Sequence, residues 1–408
     1  MALPSHPSHP TAADPTAADP TAAGRRIKAL AVPFHRHSWT SVLRVDRTRI
    51  GVAAPIRVGV AVGFVLVVAG VTGHRDIAGF AALGALTSAF CRPDPHAVRL
   101  ARLGVLGVGL VGSVLVGSTI GIVGAPPIIE VLVISVMAGV AAMTLRALHI
   151  VGPGAVIFVF SATGAAGFAH TVDDLGRATA ATAVGSVCGV AASLTPWLLT
   201  YLRPSENRSA TPSSSAVRHE SIRTILARRP SSDITTHGLW ITVAGVISGA
   251  LALSVGLSHP LWATMGAVAA MQGVTYRVTV DRAIARLVGN VGGALVAAAL
   301  LALPLGYWGA IGAIVILQTV AEIMAPVNYA VTSLAVTPMA LLLTALSAGL
   351  APEVALDRVV DTLIGVVIGV VVAALTISRN DAHTRSPSVS DPKENSADQR
   401  DSTGLPVG

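Results

Sequence analysis

Charged and amide side chains lie inside long apolar runs of this chain, where they could bind an ion or transfer a proton. Glu322 follows Gln318 by one helical turn, so the two side chains share one helix face. A charge at the centre of a membrane-inserted helix costs about 2.5–3.5 kcal/mol, so such a residue calls for an explanation. The Glu322 carboxylate could carry a proton or work a gate. It could instead reach the lipid headgroups or pair with a loop arginine.

Two pairs of arginines occupy corresponding places in the two halves of the sequence. Arg102 and Arg286 lie near the inner ends of apolar segments, where a planar guanidinium could bind a carboxylate bidentately or simply set topology. Arg177 and Arg358 lie near outer ends, and Asp361 follows Arg358 within one helical turn. We interpret the first pair as cations that attract an anion. The second pair forms either an outer gate or local ion pairs.

Thr337 precedes Pro338 in the middle of an apolar segment. Proline lacks the backbone N–H, so a kink is expected, and the freed carbonyl could line a path or be covered by Thr337. The sequence has no P-loop, GxSxG or HExxH motif, and neither Cys91 nor Cys188 has partners at metal-ligand spacing. We therefore expect no enzymatic activity, no cofactor and no metal site.

Composition restricts the class of protein. Of 408 residues, 52% are hydrophobic and 12% are charged, and the mean hydropathy is +0.70. About a quarter of the residues of a soluble protein are charged, so this apolar composition excludes a soluble enzyme and a disordered chain. Two cysteines are too few for a disulfide scaffold. The net charge of +7 lies in polar segments that flank and separate the apolar runs, so nucleic acid is not an expected partner.

The apolar runs are long enough to form the helices that carry these polar residues. A helix needs about 20 residues to cross a bilayer core. The runs predict an all-α polytopic membrane protein of about 12 transmembrane helices. We expect a disordered, basic and cytoplasmic N-terminus at 1–50 that could include a helix on the membrane surface, followed by a six-helix repeat at 51–202. A cytoplasmic linker at 203–238, a second six-helix repeat at 239–377 and a disordered, polar cytoplasmic tail at 378–408 complete the expected order.

Loop charges predict the orientation. With both termini in the cytoplasm, Arg75, Arg177 and Arg358 are the outer cations, which leaves 25 of the 28 Lys and Arg residues inside. We therefore predict a multi-pass protein of the inner (plasma) membrane. Because six is even, the two repeats start on the same side and are parallel, related by a pseudo-twofold axis along the membrane normal.

Small-residue motifs recur at nearly constant spacing, which predicts that the two halves arose by duplication. Gly84 corresponds to Gly266, and Gly185-x3-Gly189 corresponds to Gly365-x3-Gly369, with nearly equal offsets along the chain. Two short apolar segments, 78–91 and 260–273, also occupy matching places. Short segments at matched positions indicate a binding site near the repeat interface.

Four stretches carry a family resemblance: HPLWATMGAVAAMQG (259–273), DRAIARLVGNVGGAL (281–295), NYAVTSLAVTPMALL (328–342) and DRVVDTLIGVVIG (357–369). They resemble the fusaric acid resistance family, also called aromatic acid exporters, and more distantly the plant aluminium-activated malate transporters. The resemblance covers roughly residues 56–377. It implies membrane export of organic, often aromatic, carboxylates, with a membrane-fusion partner in some members.

These observations favour a secondary exporter of amphipathic organic anions that uses the proton gradient, since no nucleotide-binding motif is present. A passive anion channel and a non-transport scaffold are the alternatives. The expected partners are membrane lipid and a small organic anion, and a homo-oligomer is compatible with the sequence.

Overall fold

The computed structural model describes residues 50–202, 230–273, 275–348 and 354–376, together with a few N-terminal stretches and single residues: Gly24, 29–34, 36–42, Val45, Thr48 and Thr224. Within these ranges the regular structure is helical throughout, which confirms the predicted all-α class. Most of the stretch interpreted as a linker, and the predicted polar tail, lie outside the described residues.

Twelve described helices follow the twelve apolar segments. Those of the first half are α1 (Ala53–Val71), α2 (Ala78–Ala85, continued by a 3-10 turn at Leu86–Ala89), α3 (His96–Val123), α4 (Pro127–Ala147), α5 (Val156–Phe168) and α6 (Val172–Leu202). Those of the second half are α7 (Ser232–Ser254), α8 (Pro260–Ala270), α9 (Tyr276–Ala302), α10 (Gly306–Met324), α11 (Tyr329–Ala348) and α12 (Val354–Leu375).

Nine of the described helices are long and apolar enough to cross a membrane, judged by length and composition. The other three are α2, α5 and α8, with 8, 13 and 11 residues. At 1.5 Å per residue, α8 is about 17 Å long, well short of a bilayer core about 30 Å thick. The predicted membrane class is therefore confirmed, whereas the count of about 12 crossings is not.

Local sequence signals explain several helix ends. Proline occupies the first position of α4 (Pro127) and of α8 (Pro260), where its missing N–H costs no hydrogen bond. Thr275 caps α9, because its side chain accepts a hydrogen bond from the Val278 N–H. At the end of α3, Gly124 adopts a left-handed conformation with φ of 61°, which glycine reaches without a steric penalty.

The two halves repeat the same helix pairings. α2 packs on α6 and α3 on α5 in the first half, and α8 packs on α12 and α9 on α11 in the second. The first helix of each half also packs against the other half: α1 contacts α10, and α7 contacts α4. Each half thus packs its first helix against the fourth helix of the other half. A pseudo-twofold relation between the halves would produce this pair of contacts, which agrees with the predicted duplication.

Glycine permits the closest of these repeated contacts. A Cβ atom on Gly185 would overlap the Ala81 carbonyl oxygen, and one on Gly365 would overlap the Ala263 carbonyl oxygen. The two glycines, and likewise their two alanine partners, occupy corresponding places in the two halves of the sequence. Small residues let helix backbones approach where lipid supplies no hydrophobic drive, so these contacts fix the geometry of each half.

The helices leave apolar side chains on the outer surface of the bundle. On α1, Val60, Phe64 and Val68 follow one another at one-turn spacing and are exposed. Such a stripe on a soluble domain would be an aggregation hazard, whereas here it provides a lipid-facing surface.

A short N-terminal helix, Arg36–Val42, packs against α9. The Tyr276 hydroxyl donates to the Ala29 carbonyl oxygen at 2.8 Å, and the Asn328 amide donates to the Val42 carbonyl oxygen at 2.8 Å. The N-terminal segment is thereby held at the first turns of α9 and α11.

Candidate functional site

A cavity of about 470 Å³ lies between the two halves. The first half contributes α2, α5 and the loop between α2 and α3, and the second half contributes α8 to α12. A cavity of this size suits a small organic ligand. Its polar lining residues are Arg92, Arg282, Arg286, Gln318, Glu322, Tyr329, Thr332, Ser333 and Arg358. Its apolar walls include Leu83, Leu86, Val156, Ile157, Phe160, Met265, Val336 and Met339.

Three of the arginines form a row along one side of the cavity. Arg282 and Arg286 are one helical turn apart on α9, and Arg358 of α12 lies near enough to Arg286 for the two charges to interact. The Arg282 guanidinium lies 4.2 Å from the Tyr329 ring centroid, and that of Arg358 lies 4.8 Å from the Trp262 centroid. These cation–π contacts hold two of the guanidiniums without neutralising them.

Arg286 and Arg358 are buried, with 7% and 4% of their surfaces exposed. Among the described residues, none of the ion pairs within 4 Å involves Arg282, Arg286 or Arg358. The Nε atoms of all three are buried and find no hydrogen-bond partner there. Asp361, buried one turn after Arg358, offsets part of its charge. The row thus holds two buried arginines and one half-buried arginine, with guanidinium N–H groups that an anion could accept from.

The fourth cavity arginine is already paired. Arg92, in the loop between α2 and α3, forms an ion pair with Glu322 near the end of α10. The Gln318 amide donates to the other Glu322 carboxylate oxygen at 2.8 Å. Burial, and then the nearby charge of Arg57, lowers the pKa of Arg92, although a guanidinium stays protonated at neutral pH. This pair joins the two halves across the cavity.

The structure brings four predicted site residues together, since Arg286, Gln318, Glu322 and Arg358 all line the cavity. They come from three helices, α9, α10 and α12. Their common feature in the sequence is a polar side chain within an apolar segment of the second half.

Arg102 lies elsewhere, beside the cavity loop. It donates to the Asp94 carboxylate at 2.7 Å, and Arg99 donates to the carbonyl oxygens of Arg92 and Asp94 at 2.6 and 2.8 Å. Arg102 therefore helps to hold the loop that carries Arg92, and it is not among the cavity-lining residues.

Arg177 and Arg358 also differ in environment. Arg177 forms an ion pair with Asp76 at 2.5 Å, and both side chains are partly exposed at the surface. The equivalent glycines Gly185 and Gly365 define the register between the halves, and in that register Arg358 aligns with Ala178. The geometry of the repeat thus explains why one arginine is buried in the cavity wall while the other is on the surface.

Thr337 belongs to a buried polar cluster behind the cavity wall. Its hydroxyl donates to the Asn290 side-chain oxygen at 2.6 Å. The Asn290 amide in turn donates to the Thr362 hydroxyl at 2.8 Å and to the Arg358 carbonyl oxygen at 3.1 Å. The cluster links α9, α11 and α12, and it fixes the backbone from which Arg358 extends.

The sequence alone does not point to several residues of the site, among them Arg92, Arg282, Tyr329 and Trp262. Arg282 could have been found, because it precedes Arg286 by one turn. Arg92 could not, because its partner Glu322 lies far away in the chain, on the other half of the protein. No group of three His, Cys, Asp or Glu side chains within the described ranges could hold a metal ion.

Comparison with known families identifies the part of the chain that builds most of this site. Residues 237–372 match the fusaric acid resistance protein-like family. The match confirms the predicted resemblance for the second half, from α7 to α12, which contains the three arginines of the row. It covers about a third of the chain, less than the expected 56–377. No curated protein and no solved structure matches the chain. The more distant likeness to aluminium-activated malate transporters finds no support in these comparisons.

Proposed function

We propose that this membrane protein is a secondary transporter that exports amphipathic organic anions, with aromatic carboxylates as the leading class. The observation that carries the proposal is the cavity between the halves, whose apolar walls face a row of three arginines, two of them buried. An aromatic ring fits the walls and a carboxylate fits the guanidiniums. The match of residues 237–372 to the fusaric acid resistance protein-like family supports the same class of cargo.

The relation between the two halves supports alternating access as the mechanism. Related halves can rock about a shared central site and expose it to each side of the membrane in turn. We place the protein in the cytoplasmic membrane with both termini in the cytoplasm, on the strength of its loop charges.

Glu322 is the group that we propose couples export to the proton gradient. As a carboxylate it neutralises Arg92 and joins the two halves. Protonation would remove that charge and release Arg92, so the contact between the halves would weaken when a proton is bound. The group that binds the proton and the arginines that bind the anion would then line the same cavity.

The test uses the purified full-length protein in proteoliposomes with an imposed pH gradient. We expect uphill accumulation of a radiolabelled aromatic acid, abolished by a protonophore. Arg286→Gln should reduce transport about ten- to one-hundred-fold, because a charge-assisted hydrogen bond contributes about 1.5–3 kcal/mol. Arg177→Gln, a surface arginine outside the cavity, is the matched control and should transport normally. Flux that only runs downhill would identify a channel, and equal flux with and without protein would refute transport.

A further inference from the structure

We infer that the cavity is built for an organic dianion, such as an aromatic dicarboxylate, in preference to a monocarboxylate; this inference rests on the proposed function. It begins with a charge count over the described residues. Four arginines line the cavity, and Glu322 is the carboxylate that lines it with them. Asp361 lies next to Arg358 and offsets a further positive charge. Two positive charges remain in excess.

Burial makes that excess significant. Arg286 and Arg358 are more than nine-tenths buried, and the Nε atom of each has no hydrogen-bond partner in the part of the chain that the structure describes. A buried charge without a counter-charge is strongly unfavourable, and contact with a neutral ligand does not correct this. A monocarboxylate would neutralise one of the two excess charges, and a dicarboxylate would neutralise both.

The arrangement of the cations fits two acidic groups on one apolar body. Arg282 and Arg286 are neighbours on one face of α9, with about 5–6 Å expected between Cβ atoms one turn apart. Arg358 extends the row on the neighbouring helix. Phe160 and Met339 belong to the apolar lining, where a ring can pack. One acidic group would meet Arg282 and Arg286, and the second would meet Arg286 and Arg358.

The experiment compares benzoate with the 1,2-, 1,3- and 1,4-benzenedicarboxylates as ligands of the purified full-length protein in detergent, at pH 7.5 and matched ionic strength. Dissociation constants are measured by thermal shift and by competition with transport of a radiolabelled aromatic acid. We expect at least one dicarboxylate isomer to bind at least tenfold more tightly than benzoate. The preferred isomer reports the spacing of the cations.

Variants locate the effect. Arg358→Gln should abolish the preference, so that benzoate and the preferred dicarboxylate bind with about equal dissociation constants. Arg177→Gln should leave the preference unchanged. Because Arg358 is deeply buried, Arg282→Gln is a second variant at a half-buried position, and it should also lower the preference. Benzoate binding as tightly as every dicarboxylate would overturn the dianion inference while the proposed function stands. Failure of all four compounds to bind would overturn both.

Discussion

Among single residues, Glu322 is the side chain that we propose carries the coupling proton. Glu322→Gln keeps its size and can keep a hydrogen bond to Gln318, but it removes the charge that pairs with Arg92. We expect the variant to lose uphill export driven by a pH gradient while it continues downhill exchange of labelled for unlabelled substrate. Both activities are measured in the same proteoliposomes. Uphill export at the wild-type rate would show that another group carries the proton.

Arg102 gives a second prediction, which separates direct from indirect action. If it holds the loop through Asp94, then Arg102→Asp and Asp94→Arg should each weaken substrate binding by a few fold, and the double variant should regain most of the loss. Apparent KM for export is the measurement. If Arg102 instead contacted the substrate, the double variant would be as impaired as Arg102→Asp alone.

Sequence reasoning located part of the site because burial of a polar residue has a local signature. Gln318 and Glu322 could be placed on one face from their spacing alone, and both line the cavity. Arg102 and Arg177 have the same signature, an arginine near the end of an apolar segment. What separates them from Arg286 and Arg358 is an ion pair with a nearby acid, Asp94 or Asp76, and that depends on tertiary contacts.

At the scale of helices, the close packing of α2 on α6 gives a stability prediction. A Cβ on Gly185 would overlap the Ala81 carbonyl oxygen, so Gly185→Ala should destabilise the protein by about 1–3 kcal/mol. Gly365→Ala tests the equivalent contact in the second half and should behave alike. Thermal unfolding in detergent is the measurement.

Gly104→Ala is the matched control for these variants. Gly104 lies within α3, and a Cβ atom there would meet nothing within 4 Å. Its melting temperature should stay within error of the wild type or rise slightly, because alanine favours a helix over glycine. If all three substitutions had the same effect, close approach of the helices would not be the reason for glycine at Gly185 and Gly365.

The short helices α2 and α8 show what hydropathy alone could not predict, namely whether a short apolar helix crosses the membrane. The sequence predicted short segments at matching places, and the structure has the short helices α2 and α8 there. Hydropathy gives the length of an apolar segment but not its position along the membrane normal. It therefore cannot show whether the 11-residue helix α8 crosses the bilayer. The exchange of α1 and α7 between the halves also left no local trace, because it depends on contacts far apart in the chain.

Membrane topology is the prediction at the scale of the whole molecule. In a chain without Cys91 and Cys188, Ser258→Cys before α8 and Thr275→Cys after it should be labelled from opposite faces of the membrane. The two halves are parallel only if each crosses the membrane an even number of times, and with six helices in each half this requires α8 to cross. A membrane-impermeant maleimide applied to intact cells and to inverted vesicles makes the comparison. Labelling of both cysteines from one face would remove the parallel relation between the halves.

We propose that the anion binds in the cavity between the halves, and a structure of the full-length protein with bound 4-bromobenzoate would show whether it does. The bromine atom gives an anomalous signal that marks the ligand independently of the protein density. We predict a single strong peak within the cavity walls, with the carboxylate density beside Arg286. A bromine peak outside the cavity, at a ligand concentration that saturates transport, would show that the anion binds elsewhere.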